Sequence, residues 1–318
     1  MAQRIAKIWI DTDGGVDDAL ALACAYRDPS VRVAGISTVY GNVVPRKAAR
    51  NAALVQILAE AETCRVLVGA EAPLAGGWAH ARAIHGEDGV GGASTAHRLD
   101  YEDRIVSEGG AADVAAAMAE FARRAGGEGA IVCIGPLTNL AAALTSDPEA
   151  FARIGGIIVM GGALDVPRVR RGGYEFNFGT DLTAAQKVFE LAPRLTVMPL
   201  DTCRQVILRR QRLARMVEAV PDRLGQFLRR AHQHYMDAYK AKEGIDGCYP
   251  HDALAVATLA EPGLMKFETL ALRPEDTKHF KGLLSPAPDA RPVRVARLID
   301  QRQALNWLGD CLAGRARA

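Results

Sequence analysis

Four aspartates lie within a window of eight residues near the start of the chain. They are Asp11, Asp13, Asp17 and Asp18, in the segment Asp-Thr-Asp-Gly-Gly-Val-Asp-Asp. The chain has 37 acids among 318 residues, so four in one such window is a marked local excess. Close carboxylates repel each other, and a cluster of them is costly unless a cation offsets the charge. Because the segment holds no Cys or His, its oxygen ligands favour a hard cation, Ca²⁺ or Mg²⁺.

Two other interpretations of this segment stay open at this point. Asp17 and Asp18 fit the first turn of a helix, where the dipole favours acids, but this leaves Asp11 and Asp13 unexplained. The Asp-x-Asp also partly resembles that of phosphatases with an aspartyl nucleophile. That class expects Thr or Val at the position of Gly15, and a late Gly-Asp-x-x-x-Asp that the sequence lacks. The spacing is not that of an EF-hand.

The elements that must position these acids alternate between strand and helix. Apolar patterns predict strands at 7–10, 31–39, 65–68, 130–134 and 157–160, and helices at 16–27, 45–61 and 112–125. Such alternation predicts an α/β fold with a mostly parallel, Rossmann-like open sheet covered by helices on both faces. We expect a single domain over residues 1–318, with the acids at the carboxyl end of the first strand, where such sheets bind ligands.

The rest of the chain is less regular. Residues 69–110 are rich in Gly, His and acids and break the alternation, which is typical of a functional loop or of a disordered segment. Residues 211–260 are predicted to be mostly helical. The segment 270–318 is predicted to hold one or two strands and a final helix that starts near Asp300.

Composition excludes several classes of protein. Hydrophobic residues make up 49% and charged residues 24%, with a net charge of +2, so neither nucleic acid nor a membrane surface is an expected partner. No apolar run approaches the roughly 18 residues of a membrane span. The amino terminus lacks the pattern of a signal peptide and the six cysteines are scattered, so we expect a cytoplasmic protein with reduced thiols.

Further polar residues follow the predicted strands or lie on predicted helices. Tyr235 and Tyr239 share one helix face, which is equally consistent with core packing and with a binding site. Asp252 follows His251. Considered by itself, Asp252 is more simply explained as a helix cap. The other candidates are Asn42, His85, Gly135 to Asn139, Met160, Glu175 and Asn177.

Together these motifs resemble the inosine–uridine preferring nucleoside hydrolases over nearly the whole chain. The family signature Asp-x-Asp-x-Gly-x-Asp-Asp is matched at residues 11–18, although Gly14 replaces a usual Pro. The matching motifs downstream are Gly41-Asn42, His85-Gly86, Gly135-Pro-Leu-Thr-Asn-Leu-Ala141, Met160-Gly-Gly, Glu175-Phe-Asn177 and His251-Asp252. The resemblance implies hydrolysis of ribonucleosides to free base and ribose, a role in nucleoside salvage, and a homodimer or homotetramer.

The resemblance also implies a division of roles among these residues. Ca²⁺ is held by Asp13, Asp18, the backbone carbonyl of Ile134 and Asp252. Asp13 is the general base for a Ca²⁺-bound water that attacks the anomeric carbon, and His251 protonates the leaving base. The residues expected to bind substrate are Asp17, Asn42, His85, Met160, Glu175, Asn177, Tyr235 and Tyr239.

One departure from the family concerns the 5′ end of the substrate. The family usually carries an Asn about six residues before the Glu of Glu-Phe-Asn, whereas this chain has Arg168, Arg170 and Arg171 in that stretch. Arg168–171 suggest a 5′-phosphate or another anionic 5′ group, which suits guanidinium geometry, although a solvated loop is the simpler explanation. A non-catalytic, Ca²⁺-dependent nucleoside-binding protein is a further alternative.

Overall fold

The predicted alternation of strands and helices is present in the structure. The computed structural model describes residues 5–96, 99–106, 109–164, 173, 175–277 and 281–315. Its strands are β1 (Lys7–Thr12), β2 (Arg32–Thr38), β3 (Val66–Val68), β4 (Ile105–Val106), β5 (Gly129–Cys133), β6 (Gly156–Met160), β7 (Leu195–Met198), β8 (Leu208–Arg209), β9 (Gly247–Cys248), β10 (Met265–Asp276), β11 (Lys281–Pro286) and β12 (Pro292–Ile299). Its helices are α1 (Val16–Arg27), α2 (Pro45–Leu58), α3 (Arg82–His85), α4 (Gly110–Ala125), α5 (Thr138–Ser146), α6 (Phe176–Thr180), α7 (Leu182–Leu191), α8 (Leu200–Cys203), α9 (Arg210–Val217), α10 (Asp222–Glu243), α11 (His251–Ala260) and α12 (Gln301–Leu312).

Ten of these strands form one open sheet in the described part of the chain. Their order is β11-β10-β12-β7-β6-β5-β1-β2-β3-β4. The strands from β12 to β4 in this order are parallel to their neighbours, and β10 is antiparallel to both β11 and β12. The central strand β1 thus places its carboxyl end between those of β2 and β5. This confirms the predicted mostly parallel α/β sheet.

The apolar core lies on both faces of the sheet. Ile8 and Ile10 belong to one buried cluster, which also contains side chains of α1, α2, α11 and α12. Trp9, between them in β1, belongs to the other cluster, together with side chains of α4, α5 and α7. Successive strand residues point to opposite faces, so the two clusters cover the two sides of the sheet. No helix in the residues described is both long and apolar enough to cross a bilayer.

The carboxyl-terminal part differs from the prediction. Three strands, β10 to β12, are present where one or two were expected, and β10 already begins at Met265. The edge strand β11 has the sequence Lys-Gly-Leu-Leu-Ser-Pro, whose Gly and Pro argue locally against a strand. It forms because β10 supplies its hydrogen-bonding partner, which a local pattern does not reveal.

Candidate active site

The segment 11–18, called here the aspartate loop, connects the end of β1 to the start of α1. Gly14 has a φ of +76°, and a Cβ there would lie 2.5 Å from the Cα of Ala48 in α2, so only glycine fits. Asp18 accepts a hydrogen bond from the backbone N–H of Gly15 at 2.8 Å and so caps α1. The close packing on α2 and this cap hold the acids in one place.

Asp11 is separated from the other acids of the loop. Its Oδ1 accepts hydrogen bonds from the Ser37 hydroxyl at 2.5 Å and the Asn139 amide at 2.9 Å. Burial raises the pKa of Asp11 to about 6, an effect that these two hydrogen bonds oppose. Asp11 therefore ties β1 to β2 and to α5, and it is not one of the three acids of the cluster described below, although the charge of Asp18 contributes to its raised pKa.

Asp13 is completely buried and is held by Asn42. Its Oδ2 accepts the backbone N–H of Asn42 and its Oδ1 accepts the Asn42 side-chain amide, both at 2.8 Å. Burial and, second, the charge of Asp18 raise the pKa of Asp13 well above its usual range. Gly41 makes the approach possible, because a Cβ there would lie 2.1 Å from Asp13 Oδ2.

Three other buried acids form a group that suits a metal ion. Carboxylate oxygens of Asp17, Asp18 and Asp252 all lie within 4.8 Å of one another. Asp252 comes from the first turn of α11, which packs against α1. Burial, and then the charge of Asp18, raise the pKa of Asp17 to about 7. Burial, and then the charges of Asp17, Asp18 and Asp13, raise the pKa of Asp252 well above its usual range.

This donor set fits a hard cation. Asp17 Oδ1 is buried and has no hydrogen-bond partner among the residues that the structure describes, and the mutual repulsion of the acids is the condition that a cation relieves. The group contains Asp18 and Asp252, two of the residues predicted from the sequence to hold the metal. It also contains Asp17, which was predicted to bind the ribose. It does not contain Asp13, although Asp13 is near enough for its charge to raise the pKa of Asp252.

Glu175 and Asn177 lie beside this group at the start of α6. Glu175 is the N-cap of the helix and accepts the backbone N–H groups of Asn177 and Phe178 at 2.9 Å and of Gly162 at 2.8 Å. The Asn177 amide donates to the carbonyls of Ile134 and Met160, both at 3.1 Å. The Ile134 carbonyl expected as a metal ligand therefore already accepts one hydrogen bond, and it retains a second lone pair.

His85 and Tyr235 also contact the aspartate loop. His85 Nδ1 accepts the backbone N–H of Val16, the first residue of α1, at 3.1 Å, and lies 3.8 Å from Asp17 Oδ1. Burial, followed by the proximity of His251 and His234, lowers the pKa of His85 to about 3. The ring is thus neutral and its proton is on Nε2. The Tyr235 hydroxyl donates to Asp17 Oδ2 at 3.2 Å, which gives this tyrosine a site contact besides packing.

Tyr239 connects Tyr235 to His251. Its hydroxyl lies 3.1 Å from His251 Nε2, and its ring packs edge-on against Tyr235 with centroids 5.1 Å apart. Burial, and then the charge of Arg204, lower the pKa of His251 to about 3, so its imidazole is also neutral. Tyr235, Tyr239 and His251 thus form a continuous aromatic wall from the acids outward.

A cavity of about 450 Å³ opens over these groups. The sequence-predicted residues that line it are Asp17, Asn42, His85, Ile134, Met160, Glu175, Asn177, Tyr235, Tyr239, His251 and Asp252. Asp13 and Asp18 are fully buried behind it. Arg168, Arg170 and Arg171 lie outside the described residues. The folding of one chain thus brings the candidates from distant motifs to one cavity.

Tyr249 and Arg204 were not among the residues predicted from the sequence. The Tyr249 ring packs against those of Tyr239 and His251, with centroids 5.5 and 5.6 Å away, and the Arg204 guanidinium lies 4.8 Å above it. Arg204 also pairs with Glu243 at the end of α10, at 2.8 Å. The position of Tyr249, two residues before His251, is a signal that was available in the sequence.

Comparison with known proteins supports a class of enzyme. The sequence model of the inosine-uridine preferring nucleoside hydrolases matches residues 8–305. A non-specific ribonucleoside hydrolase, RihC, of Escherichia coli is 30% identical, and the alignment covers 96% of this chain and 98% of that protein. A probable uridine nucleosidase 2 of rice (Oryza sativa subsp. japonica) is 28% identical over 96% of this chain and 93% of its own length.

The fold agrees with this class. A purine-preferring ribonucleoside hydrolase from Gardnerella vaginalis superposes with a TM-score of 0.84 at 27% identity, covering 97% of this chain and 98% of that one. Together these matches identify a hydrolase that acts on N-glycosyl compounds and has a mostly parallel α/β sheet. The chain belongs to the inosine–uridine preferring nucleoside hydrolase family, which supports ribonucleoside hydrolysis over the aspartyl-phosphatase and non-catalytic alternatives.

Proposed function

We propose that the chain hydrolyses the N-glycosidic bond of ribonucleosides with the help of Ca²⁺, releasing free base and ribose. The observation that carries this proposal is the group of Asp17, Asp18 and Asp252 at a cavity whose other wall is aromatic. The acids suit a cation and ribose hydroxyls, and the aromatic wall suits a planar base. Water supplies a hydroxyl to the anomeric carbon and a proton to the departing base.

The direct test is a panel of purine and pyrimidine ribonucleosides, read by release of free base. We expect release from at least one ribonucleoside, and no requirement for phosphate, since water is the acceptor. Intact nucleosides over a long incubation with Ca²⁺ present would contradict the proposal. The same panel defines the preferred base.

We propose that Asp13 is the general base. A bound Ca²⁺ would act as a Lewis acid that lowers the pKa of a water in the site. Asp13 is directed by its two hydrogen bonds from Asn42, and its raised pKa favours proton acceptance. Asp18 and Asp252 would hold the ion with the Ile134 carbonyl, and either Asp13 or Asp17 would complete its protein ligands.

We propose that ribose binds at the acidic end of the cavity. Glu175, Asn177 and Asp17 line that end beside Asn42 and Met160. Carboxylate acceptors and amide donors bind sugar hydroxyls well, and charge-assisted bonds are the stronger ones. With the ribose over the acids, the base would lie against His85, Tyr235 and Tyr239, which line the rest of the cavity.

We propose that His251 delivers the proton to the leaving base. Its imidazole is neutral in the free protein, and Nε2 lies 3.1 Å from the Tyr239 hydroxyl, which lines the cavity. To act as the acid, the ring takes up a second proton from solvent. Nε2 of this imidazolium passes a proton to the Tyr239 oxygen while the Tyr239 hydroxyl proton goes to the base, and His251 ends as a neutral ring. The base then leaves in its neutral form, which is the more stable leaving group.

A second candidate substrate is a nucleoside with an anionic 5′ group. Arg168, Arg170 and Arg171 motivate it from the sequence, and the cation Lys242 lines the cavity. Turnover of uridine and of uridine monophosphate should then both be measurable. Arg170→Ala should reduce the turnover of uridine monophosphate more than that of uridine. Normal turnover of uridine with none of its monophosphate would refute this candidate.

The cellular setting remains a proposal based on the family. We propose a homodimer or homotetramer in the cytoplasm. Light scattering after size exclusion tests the assembly, with a monomer as the contrary result.

A further inference from the structure

The loop that carries His85 has its own internal support. This segment, residues 85–94 and called here the His85 loop, folds around the Asp88 carboxylate. Asp88 accepts the backbone N–H groups of Val90 at 3.0 Å, Gly92 at 2.8 Å and Ser94 at 3.2 Å, and also the Ser94 hydroxyl at 2.5 Å. The loop is therefore a defined unit that has to be attached to the rest of the site.

Asn51 of α2 makes that attachment. Its side chain is 4% exposed, and its Nδ2 donates to the carbonyl of Gly14 at 2.9 Å and to the carbonyl of Asp88 at 2.8 Å. One acceptor belongs to the aspartate loop and the other to the His85 loop. A primary amide has two N–H groups, so a single side chain joins the two loops.

The two loops are in close contact at this point. A Cβ on Gly89 would lie 2.7 Å from the Gly14 carbonyl oxygen and 3.0 Å from Asn51 Nδ2. The contacts of His85 with Val16, at 3.1 Å, and with Asp17, at 3.8 Å, cross the same boundary. If the loops separated, His85 would leave the aspartate loop and the cavity wall would move with it.

We propose that Asn51 is a positioning residue that fixes the His85 loop against the aspartate loop. It touches neither the cavity nor the acid group and acts through Gly14 and Asp88. Its effects on hydrolysis and on Ca²⁺ binding rest on the proposed function, whereas its effect on loop order does not. Small displacements of groups around a reacting bond reduce turnover strongly, which is why a remote amide matters.

Gln56 offers a matched control on the same helix. It is fully buried, and its amide donates to the Tyr26 hydroxyl at 3.1 Å and the Cys64 carbonyl at 3.2 Å. Both residues are thus buried amides of α2 that join other parts of the chain. Gln56 contacts neither of the two loops, so its removal reports the general cost of losing such an amide.

The experiment compares Asn51→Ala with Gln56→Ala, with Asn51→Ser as a milder variant should Asn51→Ala fold poorly. Hydrogen–deuterium exchange should accelerate in residues 13–16 and 86–94 for the Asn51 variants only. Both Ca²⁺ affinity and kcat/KM are measured well below the melting temperature of the variants. Ca²⁺ affinity by calorimetry should fall about tenfold, and kcat/KM should fall about tenfold or more. Gln56→Ala should lower the melting temperature and leave these three quantities unchanged.

The contrary result is an Asn51 variant with wild-type exchange in both loops, whatever its melting temperature. Wild-type Ca²⁺ affinity and kcat/KM in the Asn51 variants would also overturn the proposal. If the wild-type protein releases no base, the proposed function fails, and hydrogen–deuterium exchange in the two loops still decides the role of Asn51.

Discussion

Asn42 holds Asp13 through both its backbone and its side-chain amide, each 2.8 Å from a different carboxylate oxygen. The two donors fix the plane of the carboxylate, because each oxygen has its own partner. The backbone donor also opposes the effect of burial, which is the largest cause of the raised pKa of Asp13. Asn42 is therefore expected to control both the orientation and the basicity of the proposed general base.

Replacing Asn42 by Ala should reduce kcat by about tenfold or more, because Asp13 loses one of its two fixed donors. Steady-state base release from the best nucleoside of the panel gives the value. Asn306→Ala removes an exposed asparagine on α12 and should leave kcat unchanged. Equal kcat for Asn42→Ala and wild type would show that Asp13 needs no such orientation.

Gly41→Ala should inactivate the protein more than any surface substitution. The new methyl group would lie 2.1 Å from Asp13 Oδ2 and 2.7 Å from its Cγ, so the carboxylate must move. We expect kcat to fall by about two orders of magnitude, the scale of misplacing a catalytic group. Gly77→Ala is the matched control, since no heavy atom lies within 4 Å of its added Cβ. Retained activity in Gly41→Ala would contradict the assigned role of Asp13.

His251→Gln should affect substrates according to their leaving group. Natural bases need a proton to depart, so kcat should fall by about two to three orders of magnitude. 4-Nitrophenyl riboside releases a stable anion, and its turnover should change by about threefold at most. A comparable loss on both substrates would assign His251 to ribose or cation binding instead of proton delivery.

His232 should make the stability of the fold depend on pH. Burial lowers its pKa from 6.5 to about 4, and its Nδ1 lies 2.8 Å from the Leu228 carbonyl. The unfolded chain therefore binds a proton that the folded chain rejects, and stability is lost as pH falls from about 6.5 toward 4. His232→Asn should remove about 2 kcal/mol of the loss in unfolding free energy between pH 7.5 and 5.

Urea unfolding at the two pH values measures this difference. Gln233→Asn, at an exposed and non-titrating position on the same helix, is the control and should leave the pH profile unchanged. An unaltered profile in His232→Asn would mean that another buried group causes the loss.

The general location of the site was predictable from sequence. Acids after an apolar strand and before a helix must lie at the carboxyl edge of a parallel sheet, and the structure places Asp13, Asp17 and Asp18 there. The periodicity that paired Tyr235 with Tyr239 also held, because both lie on one face of α10. These features depend on local patterns, which a single sequence contains.

The partners of these residues were not predictable in the same way. Asp11 bonds to Ser37 and Asn139, which are 26 and 128 residues away, so its separation from the other acids follows from packing. The sequence likewise does not decide whether Asp13 or Asp17 stands nearer to Asp252, since both follow the same strand. Arg204 directly follows α8 and Tyr249 lies just before α11, and these two helices, about 50 residues apart in sequence, contact each other in the fold.

The most direct test of the central claim measures base release together with bound metal. Protein treated with chelator and checked for metal content should lose activity, and stoichiometric Ca²⁺ should restore it. Asp252→Asn should bind Ca²⁺ more weakly by calorimetry and lose activity in parallel. Full base release by metal-free protein, or unchanged Ca²⁺ binding in Asp252→Asn, would contradict the account of a Ca²⁺-dependent hydrolase built on these acids.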